Sequence, residues 1–269
     1  MDAYDLSAIV QMVVRWVHVF AAILWIGQTY LFNFMERSLE ATDEENVVGN
    51  LWMVHGGGFY FVQKQKLPEI LPLKLHWFKW EAATTWISGA ILLGLAYYVD
   101  GLLVTPELSF GLAASVGIGS LIITWFVYDG LVRSPLGKHP ILFALVALLL
   151  ILALHYGFSV VMSSRSAWIH VGAVLGTIMA ANVWIRILPV QRQMLVAAKK
   201  GEAFDAGVAD MGPMRSKHNS YTVIALVLIM IGNHYPTISY GSRYSTLILG
   251  LVVVIGWIAA RMFSGPLRK

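Results

Sequence analysis

Eight histidines are the most informative chemical groups of this chain, because most of them lie within or beside long apolar runs. Ionisable side chains at membrane depth are costly and usually functional. Neutral imidazoles on facing helices can supply the two axial ligands of a haem b. Four histidines are expected at a similar depth, toward the outer side of a membrane: His18, His155, His170 and His234. We expect the axial pair to come from His18, His170 and His234.

The alternative for each of these histidines, taken singly, is a hydrogen-bonded residue at the membrane interface. Zinc and copper are disfavoured because no two histidines stand at the close spacing of a metal-binding pair. The chain has no cysteine, which excludes disulfides, thiolate metal sites and the covalent attachment of a c-type haem. A second haem that uses His76 or His218 is left open.

A second polar layer is expected at the cytoplasmic side, where acid, base and amide groups converge on one pocket. The candidates for proton transfer are His55, His76, Glu81, Asp129 and His218. The candidates for substrate binding are Gly56, Gly57, Gly58, Tyr60, Lys79, Asn182 and Asn219. Three consecutive glycines permit positive φ and expose backbone N–H groups, so their loop can close over a planar, anionic or amide-rich ligand. The alternative is an interfacial hinge flanked by aromatic and basic residues.

Seven apolar runs must position these groups, and each is long enough to cross about 30 Å of hydrocarbon at about 1.5 Å per residue. The runs lie at about 9–34, 77–99, 108–132, 140–162, 167–188, 221–240 and 244–263. Of the 269 residues, 58% are hydrophobic and only 13% are charged, whereas soluble domains carry about 25% charged residues. The sequence therefore predicts an all-α, polytopic transmembrane helix bundle that forms a single integral membrane domain over 1–269.

Lysine and arginine indicate the orientation of this bundle. Sixteen of the 19 basic residues fall on one side of it, and only Arg15, Arg165 and Arg243 fall on the other. Cytoplasmic loops carry the excess of positive charge. We therefore expect the N-terminus outside and the C-terminus in the cytoplasm. In the first long cytoplasmic loop, we expect a helix to begin within 41–50 and a partly re-entrant or interfacial apolar segment at 51–66.

Long and unusual motifs run through almost the whole chain in order. They include RWVH at 15–18, HGGGFY at 55–60, LHWFKWE at 75–81, SKHNSY at 216–221 and NHYP at 233–236. In these motifs the chain resembles the membrane domain of bacterial membrane-bound urate oxidases, also known as urate hydroxylases. The resemblance implies oxidation of urate to 5-hydroxyisourate in purine breakdown, at the inner membrane of a bacterium.

The resemblance also implies that the electrons of urate pass to a cytochrome c. Typical members carry a C-terminal cytochrome c domain, whereas this chain has no cysteine to attach a c-type haem. We therefore expect electrons to pass through haem b to a separate cytochrome c or another respiratory-chain carrier. Two alternatives stay open: a haem-binding or anchoring subunit of a larger respiratory complex, and a transporter of purines or other anions. Nucleic acid is not expected as a partner, because the positive-inside bias accounts for the net charge of +4.

Overall fold

The structure, a computed structural model, describes residues 3–66, 75–200, 202, 204 and 206–264 of the chain. This part of the chain is mostly helical. Its α-helices are α1 (Ala3–Ser38), α2 (Trp80–Leu93), α3 (Phe110–Arg133), α4 (Pro140–Val161), α5 (Ser164–Ala181), α6 (Leu188–Lys200), α7 (Ala206–Ala209), α8 (Met211–Gly232) and α9 (Ser245–Ser264). α2 continues as a π-helix over Gly94–Val99, and a second π-helix, Asn182–Ile187, joins α5 to α6. Short 3₁₀ turns cover Pro135–Lys138 and Pro236–Ile238.

Serine and proline residues set the starts of several helices. The Ser109 hydroxyl accepts a hydrogen bond from the Leu112 N–H at 3.4 Å, and the Ser163 hydroxyl accepts one from the Ser166 N–H at 3.2 Å. These bonds satisfy N–H groups that the first turns of α3 and α5 leave without an intrahelical partner. α4 begins with Pro140, because the fixed φ of proline suits the first helical position.

Six helical segments of the described residues are long and apolar enough to cross a membrane. They are Leu6–Ser38, Trp80–Val99, Phe110–Arg133, Pro140–Val161, Ser164–Lys200 and Ser245–Ser264. Six of the seven predicted spans therefore coincide with such helices, although the fifth runs on to residue 200 without a break. Large apolar side chains such as Ile141, which is 78% exposed, lie on their outer surfaces. A mostly helical protein of membrane type is therefore confirmed.

The sixth predicted span, at 221–240, is misplaced. The helix in this region, α8, begins ten residues earlier and ends at Gly232. Its first half is polar, because residues such as Arg215 and Asn219 face a buried polar cluster, so no apolar run marks the start of the helix. The chain then leaves α8 and forms a new turn that starts at Pro236, since proline fixes φ and has no N–H to extend a helix.

The core of the described bundle surrounds α5, most of whose side chains are buried. Trp168 is 1% exposed, and its indole N–H donates to the Ile229 carbonyl oxygen of α8 at 2.8 Å. Its ring lies against Gly232, where an added Cβ would stand 2.9 Å from the ring. α8 and α9 also approach closely, because a Cβ on Gly256 would meet the Ala225 backbone at 2.6 Å. Small residues at such contacts let helix backbones approach one another in membrane bundles.

A β-hairpin occupies the region where a helix start was predicted at 41–50 and a re-entrant segment at 51–66, so both predictions are wrong. Its strands are β1 (Val47–His55) and β2 (Gly58–Gln65), which pair antiparallel. Both strands are rich in β-branched and aromatic residues, which favour strands over helices. The apolar character of the run does not by itself distinguish a strand from an interfacial segment.

The hairpin turn explains why consecutive glycines are needed here. Gly56 and Gly57 have φ angles of 60° and 79°, which confirms the positive φ predicted for this loop, whereas Gly58 begins β2. Two central residues with positive φ form a tight turn whose twist matches that of the flanking strands. An ion pair of 2.6 Å between Lys64 and Glu36 ties the hairpin to the end of α1.

Candidate functional site

Asp129 is the centre of a buried polar cluster near the C-terminal end of α3. It is 6% exposed and is surrounded by guanidinium groups. Arg186 forms a bidentate pair with it, donating from Nε to Oδ1 at 2.8 Å and from Nη2 to Oδ2. Arg215 is fully buried and donates from Nη2 to Oδ1 at 2.6 Å. Arg133 approaches Oδ2 to 3.8 Å, but its side chain is 62% exposed, so solvent screens its charge.

Two amides and a tyrosine–histidine pair extend this cluster. Asn182 donates from Nδ2 to Asn219 Oδ1 at 3.0 Å and to the Tyr128 hydroxyl oxygen at 3.1 Å. The Asn182 Oδ1 atom faces Arg215 Nη1 at 3.4 Å. The Tyr128 hydroxyl lies 2.8 Å from His218 Nδ1. The following residues are together named the Asp129 cluster: Tyr128, Asp129, Asn182, Arg186, Arg215, His218 and Asn219.

Three elements bring these side chains together. α3 contributes neighbouring residues from its last turns. α8 presents Arg215, His218 and Asn219 on one face, because residues three and four apart are neighbours on a helix. The π-helix contributes Asn182 and Arg186. Its wider turn is a local departure from the α-helix of a kind that is frequent at functional sites.

The Asp129 cluster holds more positive than negative charge, because Arg186 and Arg215 face one carboxylate. Among the described residues, the buried Nε–H of Arg215 has no hydrogen-bond partner. The same holds for the indole N–H of Trp125, whose ring lies 5.6 Å from the Arg186 guanidinium. Buried donors without acceptors are costly and call for an explanation. A hydrogen-bond acceptor supplied by a ligand is one way to satisfy such a donor.

Four of the predicted site residues meet in this cluster: Asp129, Asn182, His218 and Asn219. The predicted spans place all four near the cytoplasmic ends of helices, which is why their proximity could be expected. Arg215 had no such signal, because it stands close to Lys217 in a stretch whose positive charge is typical of any cytoplasmic loop. Its burial follows from the early start of α8, which hydropathy does not reveal.

Among the described residues, no hydrogen bond or ring contact links the other inner-layer candidates directly to the cluster. The hairpin tip carries His55, Gly56, Gly57, Gly58 and Tyr60. His76 is exposed, and Lys79 lies over the Trp184 ring at 5.7 Å. The Glu81 carboxylate accepts a hydrogen bond from Gln28 at 3.1 Å. The roles predicted for these residues therefore stay predictions. The Asp129 cluster is the better candidate site, because hydrogen bonds join its members to one another.

His18, in α1, has the surroundings of an axial haem ligand. Its Nδ1 lies 2.9 Å from the Thr85 carbonyl oxygen and 3.1 Å from the Ser88 hydroxyl. A bond from Nδ1–H to a carbonyl fixes the ring and leaves Nε2 open for a metal. Gly89 leaves room for the ring, because a Cβ there would stand 2.9 Å from Cε1. His18 is half-buried, so one side of the imidazole can be reached.

His170 has no open nitrogen in this structure. It is fully buried, with Nδ1 2.8 Å from the Ser166 carbonyl oxygen and Nε2 3.0 Å from the Tyr98 hydroxyl. His18 contacts α2 at Gly89, whereas His170 contacts the following π-helix at Tyr98. Gly89 and Tyr98 are roughly 13 Å apart along the helix axis, at about 1.5 Å per residue. In this arrangement the two imidazoles therefore cannot both bind the same iron.

The remaining histidines of the outer layer are not held as ligands either. His155 has its Nδ1 2.9 Å from the Thr246 hydroxyl and its Nε2 3.4 Å from the Ser245 hydroxyl. His234 is exposed in the turn that follows α8. The described residues contain no group of three or more histidine, aspartate or glutamate side chains that could hold a metal ion. Of the four, His18 is the one whose described contacts involve Nδ1 and leave Nε2 without a hydrogen-bond partner among the described residues, and the haem site stays a prediction.

These features define a helical protein of membrane type with a buried, cation-rich site. The family model described as urate oxidase N-terminal matches residues 5–266. The chain therefore belongs to the urate oxidase N-terminal family, as its long motifs indicated, and is of the urate-related oxidoreductase class. Comparison with curated proteins and with solved structures gave no match.

Proposed function

We propose that this protein is a membrane-bound oxidoreductase that converts urate to 5-hydroxyisourate at the Asp129 cluster. In this conversion urate takes up the oxygen atom of a water molecule and releases two electrons and two protons. Membership of the family over residues 5–266 supports the reaction class. Side chains do not accept electron pairs, so the electrons must pass to a carrier.

The excess of buried positive charge around Asp129 is the observation that carries this proposal. Urate is a planar monoanion at neutral pH, with carbonyl oxygens and ring N–H groups on its edges. A guanidinium recognises planar acceptors in a fixed geometry, and the buried Nε–H of Arg215 has no acceptor within the part of the chain that the structure describes. The Asn182 and Asn219 amides offer both donor and acceptor atoms to such an edge.

Asp129 has a positioning role in this proposal. Its carboxylate holds Arg186 and Arg215 in place through charge-assisted hydrogen bonds. A second anion beside a bare carboxylate would be repelled, whereas the surplus of guanidinium groups makes the site attractive to urate. The cluster can therefore bind an anion while the Asp129 carboxylate still holds the two arginines in place.

A haem b is proposed as the electron carrier, with a separate cytochrome c or another respiratory-chain carrier as its partner. His18 is the residue that would hold it, through the open Nε2 described above. When bound, haem b would supply a one-electron carrier between urate and the external partner. The chain itself binds and orients the substrate and accepts its protons.

We further propose that the chain forms a single domain that crosses the bacterial inner membrane seven times, with α8 as the span that hydropathy does not detect. The N-terminus then lies outside and the C-terminus in the cytoplasm, in accord with the distribution of lysine and arginine. The Asp129 cluster would open toward the cytoplasm, where purines are broken down.

The test is anaerobic addition of urate to the purified full chain, with ferricytochrome c as acceptor and the absorption spectrum followed. We expect a reducible haem spectrum, urate consumption and two molecules of cytochrome c reduced per urate. His18→Ala should lose the haem spectrum, whereas His139→Ala, at an exposed residue, should keep it. A preparation that neither consumes urate nor reduces the acceptor would overturn the proposal.

The anion-binding character of the cluster also supports a transporter of purines or other anions as the second candidate. A transporter would be colourless, would leave urate chemically unchanged, and would carry it into vesicles reconstituted with the protein. A haem-bearing anchoring subunit of a respiratory complex would instead co-purify with partner subunits, and its haem would not be reduced by urate.

A further inference from the structure

The direction of the hydrogen bonds in the Asp129 cluster follows from the chemistry of its members. Arginine can only donate, so the Asn182 side-chain atom that faces Arg215 must be the oxygen. The Asn182 nitrogen then donates to Asn219 and to the Tyr128 hydroxyl oxygen. The Tyr128 oxygen is therefore the acceptor in its bond with Asn182, and its own O–H is left to donate.

The acceptor for the Tyr128 O–H is His218. Its Nδ1 lies 2.8 Å from the Tyr128 oxygen, and no other acceptor for this hydroxyl occurs among the described residues. Nδ1 is then the unprotonated nitrogen, and the ring proton of the neutral imidazole sits on Nε2. The Phe143 ring stacks on the imidazole at 5.1 Å between centroids and at 22°, which fixes its plane.

The Arg215 guanidinium acts on both members of this pair, and it repels positive charge on His218. The Arg215 guanidinium lies 5.0 Å from the centre of the Tyr128 ring, where its charge stabilises negative charge on the phenol oxygen. His218 is half-buried, so part of its ring is accessible from outside the bundle. The charged groups that act on His218 are Arg215 and Lys217, and its titratable neighbour across the interface is Tyr128.

We propose that Tyr128 and His218 form a proton relay that accepts one of the two protons released by the substrate; this inference rests on the proposed function. A ring N–H bond of urate breaks as its proton moves to the Tyr128 oxygen. At the same time the Tyr128 O–H bond breaks and its proton moves to His218 Nδ1. His218 becomes an imidazolium ion, which later releases a proton to water, and no electron moves in this step.

Two variants separate the relay from a merely structural role. Tyr128→Phe keeps the ring that contacts Arg215 and Phe143 but removes the hydroxyl. His218→Asn keeps an acceptor oxygen near the position of Nδ1 but cannot take up a proton. Matched controls are Tyr156→Phe and His139→Asn, at exposed residues outside the cluster.

We expect both relay variants to lower kcat for urate oxidation by about 10²- to 10⁴-fold, the usual range for a general base. Their KM for urate should stay close to that of the wild type, and the acid limb of the kcat–pH profile should disappear. Both controls should retain wild-type kcat. Relay variants with wild-type kcat, or with a raised KM and unchanged kcat, would overturn the relay while leaving the urate reaction intact.

A second readout does not depend on turnover. The ¹⁵N NMR spectrum of the full chain labelled at histidine should contain an unprotonated Nδ1 signal that is assigned to His218 by its loss in His218→Asn, and this signal should shift in Tyr128→Phe. A protonated Nδ1 on neutral His218 would overturn the relay whatever the substrate. Wild-type protein that does not oxidise urate would instead overturn the proposed function, and the relay with it.

Discussion

Asp129 shows how the stability of the site depends on a single charge. Its carboxylate is the acidic group that faces Arg186 and the fully buried Arg215. Removing one partner of a buried ion pair leaves an uncompensated charge, which costs about 3–5 kcal/mol. Asp129→Asn should therefore lower the free energy of unfolding by about that amount, measured by denaturant titration in detergent.

The matched control for this prediction is Arg133→Gln. Its ion pair with Asp129 is longer, at 3.8 Å, and its side chain is 62% exposed, so the expected loss is at most about 1 kcal/mol. Equal losses in the two variants would contradict the view that the buried arginines depend on Asp129.

At the scale of single residues, the sequence predicted the acid and amide members of the cluster and missed its buried cation. Asp129, Asn182 and Asn219 stand out because acid and amide groups occur together beside the cytoplasmic ends of several apolar runs. Arg215 does not stand out, because cytoplasmic loops of membrane proteins are rich in arginine and lysine for reasons of orientation. Burial is a property of the packed helices, so spacing along the chain could not reveal it.

The hairpin gives a prediction at the scale of an element. Its turn needs positive φ at Gly56 and Gly57, and asparagine is the residue other than glycine that tolerates this conformation best. Gly56→Asn should therefore leave both the stability and the urate oxidation rate close to wild type. Gly57→Val should cost about 1–2 kcal/mol, since a β-branched residue is strained there.

Thermal unfolding together with the urate assay decides between a turn and a ligand-binding loop. If Gly56→Asn abolishes urate oxidation in a folded protein, the glycines contact substrate as the sequence analysis first predicted. Unchanged oxidation indicates that they serve the turn.

The contact between α8 and α9 gives a second prediction for an element. A Cβ on Gly256 would stand 2.6 Å from the Ala225 backbone, so the two helices would have to move apart. Overpacking of this kind costs about 1–3 kcal/mol, and Gly256→Ala should lower the thermal midpoint accordingly. Gly119→Ala is the control, because the nearest atom to its Cβ would be an Ile123 methyl group at 4.0 Å. That variant should be neutral or more stable, since alanine favours helix.

At the scale of elements, the bounds of a helix could be predicted from the sequence where contact with lipid alone determines the apolar pattern. α3 and α4 follow their predicted spans within about two residues because a membrane core requires a continuous apolar run. α8 departs from its prediction because half of it packs on Asn182 and Asp129 rather than on lipid. The hairpin was missed because its residues are apolar as well, and only their β propensity and the two-glycine turn distinguish them.

At the scale of the whole molecule, the proposed orientation can be tested directly with single introduced cysteines, because the chain has no cysteine of its own. A single cysteine introduced by Glu107→Cys should react with a membrane-impermeant thiol reagent in intact cells, because this connection is proposed to face outside. Gln193→Cys should react only after the cells are opened. Both native residues are exposed, so the wild-type chain is the unreactive control, and the opposite labelling pattern would reverse the topology.

Arg215→Gln is the most direct test of urate oxidation at the Asp129 cluster. Steady-state kcat/KM for urate-dependent cytochrome c reduction should be compared in the wild type, Arg215→Gln and Arg133→Gln. Truncating a buried charged donor costs about 2–5 kcal/mol of binding, which corresponds to about 30-fold or more at 1.4 kcal/mol per tenfold. We predict a loss of at least that size in folded Arg215→Gln and a value near wild type in Arg133→Gln. Folded Arg215→Gln that oxidises urate as well as the wild type would contradict the account.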